Sequence, residues 1–220
     1  MNRMQNRWTL PMLMLSLAAP GAGGCVEPTQ VDESIEHASS GTEVMQPTID
    51  NKEIDGSVTY KFPEAFAPGG LAAAFPTQCS LPASSPAPTL IQHPGGVLTI
   101  KLSRGTVLQQ GSFCQLGNGL LYMQPDGNLV VYDETYNPSI PGQGARWAAN
   151  TFHSGHHASF QPDGNFVVYN LFGTALQTGK VPSNTWRIPN PAFDLHVQAD
   201  GNVVIYAPGW APIWSTGSGH

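Results

Sequence analysis

A chain of 220 residues with 11% charged residues, 24 glycines and 20 prolines fits one or two turn-rich β domains better than a helical bundle. Its net charge of −6 is concentrated between Val26 and Gly56, where eight acidic residues face one lysine; from Ser57 onward six Lys/Arg face seven Asp/Glu. The near-neutral remainder carries no basic patch, so no nucleic acid is expected as a partner.

Taken in chain order, Arg3 and Arg7 precede an apolar run of twelve residues, Trp8–Ala19, which is too short to cross a bilayer of ~30 Å as a helix and reads as an export signal. The run ends in AGGC, Ala22–Cys25, which resembles a bacterial lipoprotein cleavage site, although that family carries Leu where Ala22 stands. The resemblance implies a signal peptide at 1–24 and a lipid on Cys25 that holds the protein to a membrane. Ordinary secretion, with Cys25 a loose thiol, is the alternative. Val26 gives no retention signal of the Asp type, which points to an outer-membrane lipoprotein of the bacterial envelope. Of three cysteines, acylation of Cys25 leaves Cys79 and Cys114 to form a disulfide in an oxidising compartment.

Residues 25–56 are acidic, nearly free of aromatics and too polar to offset chain entropy, so they are expected to be a flexible tether. Residues 57–95 are rich in Pro and Ala and read as a stiffer linker, or as a strap on the next domain if Cys79 bonds Cys114. Within them SVTYKF (57–62) has the pattern of a strand without an evident place. From residue 96 short strands alternate with Gly, Asn and Pro, and no stretch shows helical periodicity.

Three copies of one unit follow: QPDGNLVVY (124–132), QPDGNFVVY (161–169) and QADGNVVIY (198–206), starting 37 residues apart. Such repetition indicates one supersecondary unit copied around a shared core. The central Asp-Gly is a hairpin turn between two strands of alternating pattern. Leu121, Met123, Leu129 and Val131 share one face of the first hairpin. Ala158, Phe160, Phe166 and Val168 do so in the second, and Leu195, Val197, Val203 and Ile205 in the third. With Trp147, Trp186 and Trp214, these faces are expected to form the core. The opposite face carries Gln, Asp, Asn and Tyr around a valine expected to be exposed. Amide, carboxylate and phenol beside an aliphatic pad suit the hydroxyls and C–H groups of a sugar.

The spacing Gln-x-Asp-x-Asn-x-Val-x-Tyr is similar to the signature of the bulb-type, or monocot mannose-binding, lectins. It is complete as Gln124/Asp126/Asn128/Val130/Tyr132, as Gln161/Asp163/Asn165/Val167/Tyr169 and as Gln198/Asp200/Asn202/Val204/Tyr206. The resemblance covers residues 96–218 and implies an all-β, β-prism II fold: three four-stranded antiparallel sheets with pseudo-threefold symmetry, one site on each. It further implies that Asp and Asn bond the 2-hydroxyl of mannose, Gln the 3-hydroxyl and Tyr the 4-hydroxyl, while Val packs on ring carbons. The expected partners are mannose-type glycans or cell-surface polysaccharide. An oligomer is compatible with this reading.

Two readings compete with a sugar-binding lectin: a structural or interaction protein on the same fold, and a lectin-like antibacterial toxin. An enzyme is not expected, because glycoside hydrolysis needs two carboxyl groups across one bond and each copy supplies one Asp. No cofactor and no metal is expected; His153, His156 and His157 lie close in sequence but read as a loop. Tyr to Trp spans 15, 17 and 8 residues in successive copies, so the first two carry lengthened segments and the third is the least altered.

Overall fold

The computed structural model describes residues 44–52, 56–63, 75–94, 96–188 and 193–220. The export signal, Cys25 and most of the tether lie outside the described residues. Sixteen strands, β1 to β16 in chain order, form three antiparallel sheets among the described residues. One sheet has the order β1 (Val44–Met45), β5 (Thr89–Gln92), β6 (Leu98–Leu102), β14 (Asp194–Gln198), β15 (Val203–Ala207), β16 (Ala211–Ser215). A second runs β11 (Ala145–Ala148), β10 (Leu129–Tyr132), β9 (Gly119–Met123), β8 (Phe113–Gly117), β4 (Phe75–Pro82), β3 (Ser57–Lys61), β2 (Thr48–Lys52). The third runs β13 (Phe166–Tyr169), β12 (His157–Phe160), β7 (Val107–Gln109).

This is the expected β-prism II, with strand counts of six, seven and three in place of four in each sheet. The first two sheets each hold a four-stranded set from the repeat region, and β1, β5 and β2–β4 widen them. Residues 44–52 thus pair into sheets, so the expected tether does not extend to Gly56. SVTYKF finds its place as β3, between β2 and β4, with Val58 and Tyr60 turned into the core. Cys79 and Cys114 face each other across β4 and β8 and are disulfide-bonded, with an S–S distance of 2.04 Å.

All twelve inward residues of the three hairpins lie in one buried cluster shared by the sheets, as period-2 patterning requires. Each fully buried Leu or Phe of this set stabilises the fold by roughly 1.5–3 kcal/mol relative to exposure. Trp147 and Trp214 join the cluster and meet edge to face at 6.1 Å. Trp186 does not. It is 51% exposed in a single 3-10 turn, Thr185–Arg187, with the Arg187 guanidinium 5.1 Å from its ring centroid. The long segment after Tyr169 explains this. It leaves β13 after one bridge, Tyr169–Ala175, and sends Val181 into the core instead. The third sheet consequently lacks a regular fourth strand.

Candidate functional site

The three motifs form the same hydrogen-bonded frame. In each, Gln and Asn bracket the turn through backbone bonds, from Gln124 N to Asn128 O (2.9 Å), Gln161 N to Asn165 O (2.8 Å) and Gln198 N to Asn202 O (2.9 Å). The Asp Oδ1 accepts from the Asn backbone N–H at 2.8, 3.0 and 2.9 Å in copies one to three. The Gln amide donates to the Tyr hydroxyl, Gln124 to Tyr132 at 2.8 Å, Gln161 to Tyr169 at 2.7 Å and Gln198 to Tyr206 at 3.2 Å. The Asn Oδ1 accepts from the chain beyond the hairpin: from Thr151 N at 3.0 Å, Ser183 Oγ at 3.0 Å and Thr216 Oγ1 at 3.1 Å.

What these bonds leave over is the same each time: one Asp oxygen and the Gln carbonyl as acceptors, the Asn NH₂ and the Tyr O–H as donors. Burial raises the pKa of Tyr132 and Tyr206 above the ordinary phenol value, so both hydroxyls keep their protons near neutrality. Four fixed donors and acceptors within one hairpin can grip vicinal hydroxyls.

A hydroxyl also buckles each turn, donating to the glycine carbonyl at its apex: Thr151 to Gly127 (2.9 Å), Thr185 to Gly164, and Ser218 to Gly201 (2.8 Å). The motif does not include these residues. Their signal in the sequence is a Ser or Thr following each repeat.

The valines are not exposed as expected. Val130, Val167 and Val204 are 2%, 2% and 3% exposed. Each valine is a floor rather than a raised pad.

The copies differ in what surrounds that floor. In the first, Tyr132 is 4% exposed and Tyr136, from the lengthened loop, lies on it with ring centroids 4.4 Å apart. Leu120, Val130 and Tyr132 form a small apolar cluster with Phe113, Tyr122, Tyr136 and Ala148. Tyr136 thus covers Tyr132, while Gln124, Asp126 and Asn128 stay partly exposed. In the second, Tyr169 is half-buried and His157 stacks on it at 5.3 Å. In the third, Tyr206 is half-buried beside His93, His196 and Trp210.

No family model and no curated protein matches the chain. Solved structures do. A monomeric monocot mannose-binding lectin from Gastrodia elata is 33% identical over 98% of its length and 55% of this chain, with a TM-score of 0.45. The mannose-specific agglutinin from snowdrop bulbs is 32% identical over 97% of its length and 55% of this chain, at TM-score 0.40. A domain-swapped lectin dimer from Mycobacterium smegmatis is 31% identical over 95% of its length and 52% of this chain, at TM-score 0.28. Identity of 31–33% runs along nearly the whole length of those lectins. The chain belongs to the bulb-type lectin family.

The remaining polar clusters of the lectin domain have structural partners. Asp133, Glu134 and His220 are grouped closely enough to hold a cation, but their atoms are already engaged. Burial pushes the Asp133 carboxyl up, yet hydrogen bonds from Thr135 and Arg146 outweigh it and hold the group below its usual range. Glu134 pairs with His220 at 3.0 Å, which lowers the acid and raises the imidazole. Of the three histidines expected in a loop, His157 instead opens β12; His153 lies on Phe152, while His156 and His157 approach through their Nδ1 atoms at 3.1 Å. Burial, then the neighbouring His156, lowers the pKa of His157. His196 is held neutral more firmly: burial, with Lys101 and His93 nearby, brings it down to about 3.

Proposed function

We propose that this lectin binds mannose or mannose-containing glycans through its second and third sites, tethered to a bacterial envelope by a lipid on Cys25. The observation that carries the sugar reading is the repeated set of four unsatisfied groups around a buried valine. A vicinal diol uses such donors and acceptors in pairs, and ring C–H groups cover the valine. The related lectins are mannose-binding or mannose-specific by description, in keeping with this set. Shallow, wet sites of this kind bind one sugar weakly, and function then rests on several sites meeting repeated sugars.

The decisive variants keep the internal frame and invert what faces the ligand. Asp200→Asn retains the oxygen that accepts from Asn202 N, and Asn202→Asp retains the oxygen that Thr216 bonds. Alanine at either position would instead remove a turn bond worth about 1 kcal/mol. Titration calorimetry with methyl α-mannoside is expected to give two sites per chain. The paired exchange at 200 and 202 should leave one, and the same exchange at 163 and 165 as well should leave none, with the melting temperature little changed. Full binding by the fourfold variant would end the lectin reading. Three sites in the wild type would show that Tyr136 does not close the first.

The anchor is tested separately. The mass of the mature N-terminus is expected to show a diacylglyceryl-type addition on Cys25, lost in Cys25→Ser; a free thiol there would favour simple secretion. The first site, with Phe113, Tyr122 and Tyr136 lining a small aromatic cleft, favours a second role for that sheet as an interaction surface rather than a sugar site.

A further inference from the structure

The three sites share their five motif residues but not the residues across the hairpin. Opposite Tyr132, Tyr169 and Tyr206 stand Leu120, His157 and Asp194. Opposite the valines stand Tyr122, Ser159 and His196. Beside the third site, the outer face continues past Tyr206, away from the Asp200 turn, into a cleft of about 270 Å³. That is just under the roughly 300–1,000 Å³ of most small-molecule sites.

The cleft crosses four further strands. Lys101 of β6 is the register partner of His196, and Ile91 of β5 with its partner Val44 of β1, two residues along from the Thr89 that faces Lys101, carries the lining to the sheet edge. β1 and β5 thus build its far wall. Lys101 and Asp194 lie 3.8 Å apart and both are partly exposed, presenting a donor and an acceptor with no net charge.

The near wall is Trp210, at the tip of the β15–β16 hairpin. Its φ of 64° is in the left-handed region, which a bulky side chain rarely adopts. Tertiary contacts hold it there: His93 at 4.3 Å, His196 at 5.5 Å and Tyr206 at 5.7 Å between ring centroids. Such strain at a cleft wall, next to a motif tyrosine, marks an aromatic positioned for contact.

We propose that the third site is the end of an extended groove for an oligosaccharide, in which Trp210 packs against a second neutral hexose and Lys101 and Asp194 bond its hydroxyls. This rests on the carbohydrate reading of the Gln198–Tyr206 motif and adds the length of the ligand. At the first site Leu120 and Tyr136 instead line a smaller, mostly aromatic cleft of about 200 Å³ with no charged pair on its walls.

The test uses the full chain with the second site disabled by Asp163→Asn and Asn165→Asp, so that calorimetry reads the third site. Methyl α-mannoside and a linear α-linked mannotriose are the probes. The trisaccharide should bind at least tenfold more tightly, more than its three residues would give by statistics. Trp210→Gly, which also relieves the left-handed backbone, and Lys101→Met should each reduce that ratio to threefold or less. Equal affinities for the two probes, or an unchanged ratio in both variants, overturns the extended groove while leaving the lectin reading intact. Binding of neither probe overturns both.

Discussion

Gly127→Ala should destabilise the domain by about 3 kcal/mol and lower its melting temperature by roughly 10 °C. Two effects combine. Gly127 has φ 87°, where an L side chain is strained, and a Cβ there would overlap the backbone carbonyl oxygen of Gly155. Gly155 in turn lies against the Gly127 carbonyl, so neither segment can yield without moving the other. The same contact carries the bonds from Thr151 to Gly127 and from His153 N to Asp126 O (2.8 Å) that dock the 151–155 loop onto the turn. Gly142→Ala is the control: its φ is 77° and nothing lies within 4 Å of the added carbon. It should cost about 1 kcal/mol. Equal melting temperatures for the two variants would show that close backbone packing at Gly127 contributes nothing.

Replacing both Cys79 and Cys114 by Ala should cost about 3–4 kcal/mol. The bond closes a loop of 35 residues, and the loss of that constraint in the unfolded chain accounts for most of the effect. Both sulfurs are fully buried in the central cluster, so the variant also loses packing between β4 and β8. Chemical denaturation should show the loss, and the wild type unfolded in a strong reductant should reproduce it. A difference below about 1 kcal/mol would mean that the pairing of β4 with β8 holds without a covalent link. Since β4 joins the widened part of the sheet to the repeat-derived part, limited proteolysis of the variant should release fragments ending near residue 94.

Much of this fold is legible in the sequence, for a physical reason: a hairpin face alternates with period two. Leu121, Phe160, Val203 and the other nine inward residues follow from that alternation alone. The motif side chains were equally legible as one surface per hairpin. What periodicity cannot encode is how a long segment folds back. Tyr136 sits in a stretch of Asn, Pro and Gly, and its position over Tyr132 is a tertiary choice. Trp186 looked like its counterparts, Trp147 and Trp214, but the lengthened segment before it delivers Val181 to the core first. Strands β1 and β2 carry no such pattern, and β3 shows its pattern but not its place, for another reason. Acidic residues and prolines around them lower the local apolar content, and pairing with β4 and β5 supplies the stability that their composition lacks. The burial of the valines is not legible, because alternation gives the direction of a side chain and not how closely its surroundings pack on it.

The order in which the chain visits the sheets has a mechanical outcome. It enters through β1 in one sheet, passes to β2–β4 in another, returns as β5 and β6, and is locked covalently at Cys79. A pull on the N-terminal side would load the short pairings of β1, β2 and β3 first and then stop at that crosslink. Those outer strands would be the first to part under such a load, while the disulfide keeps β4 fixed to β8.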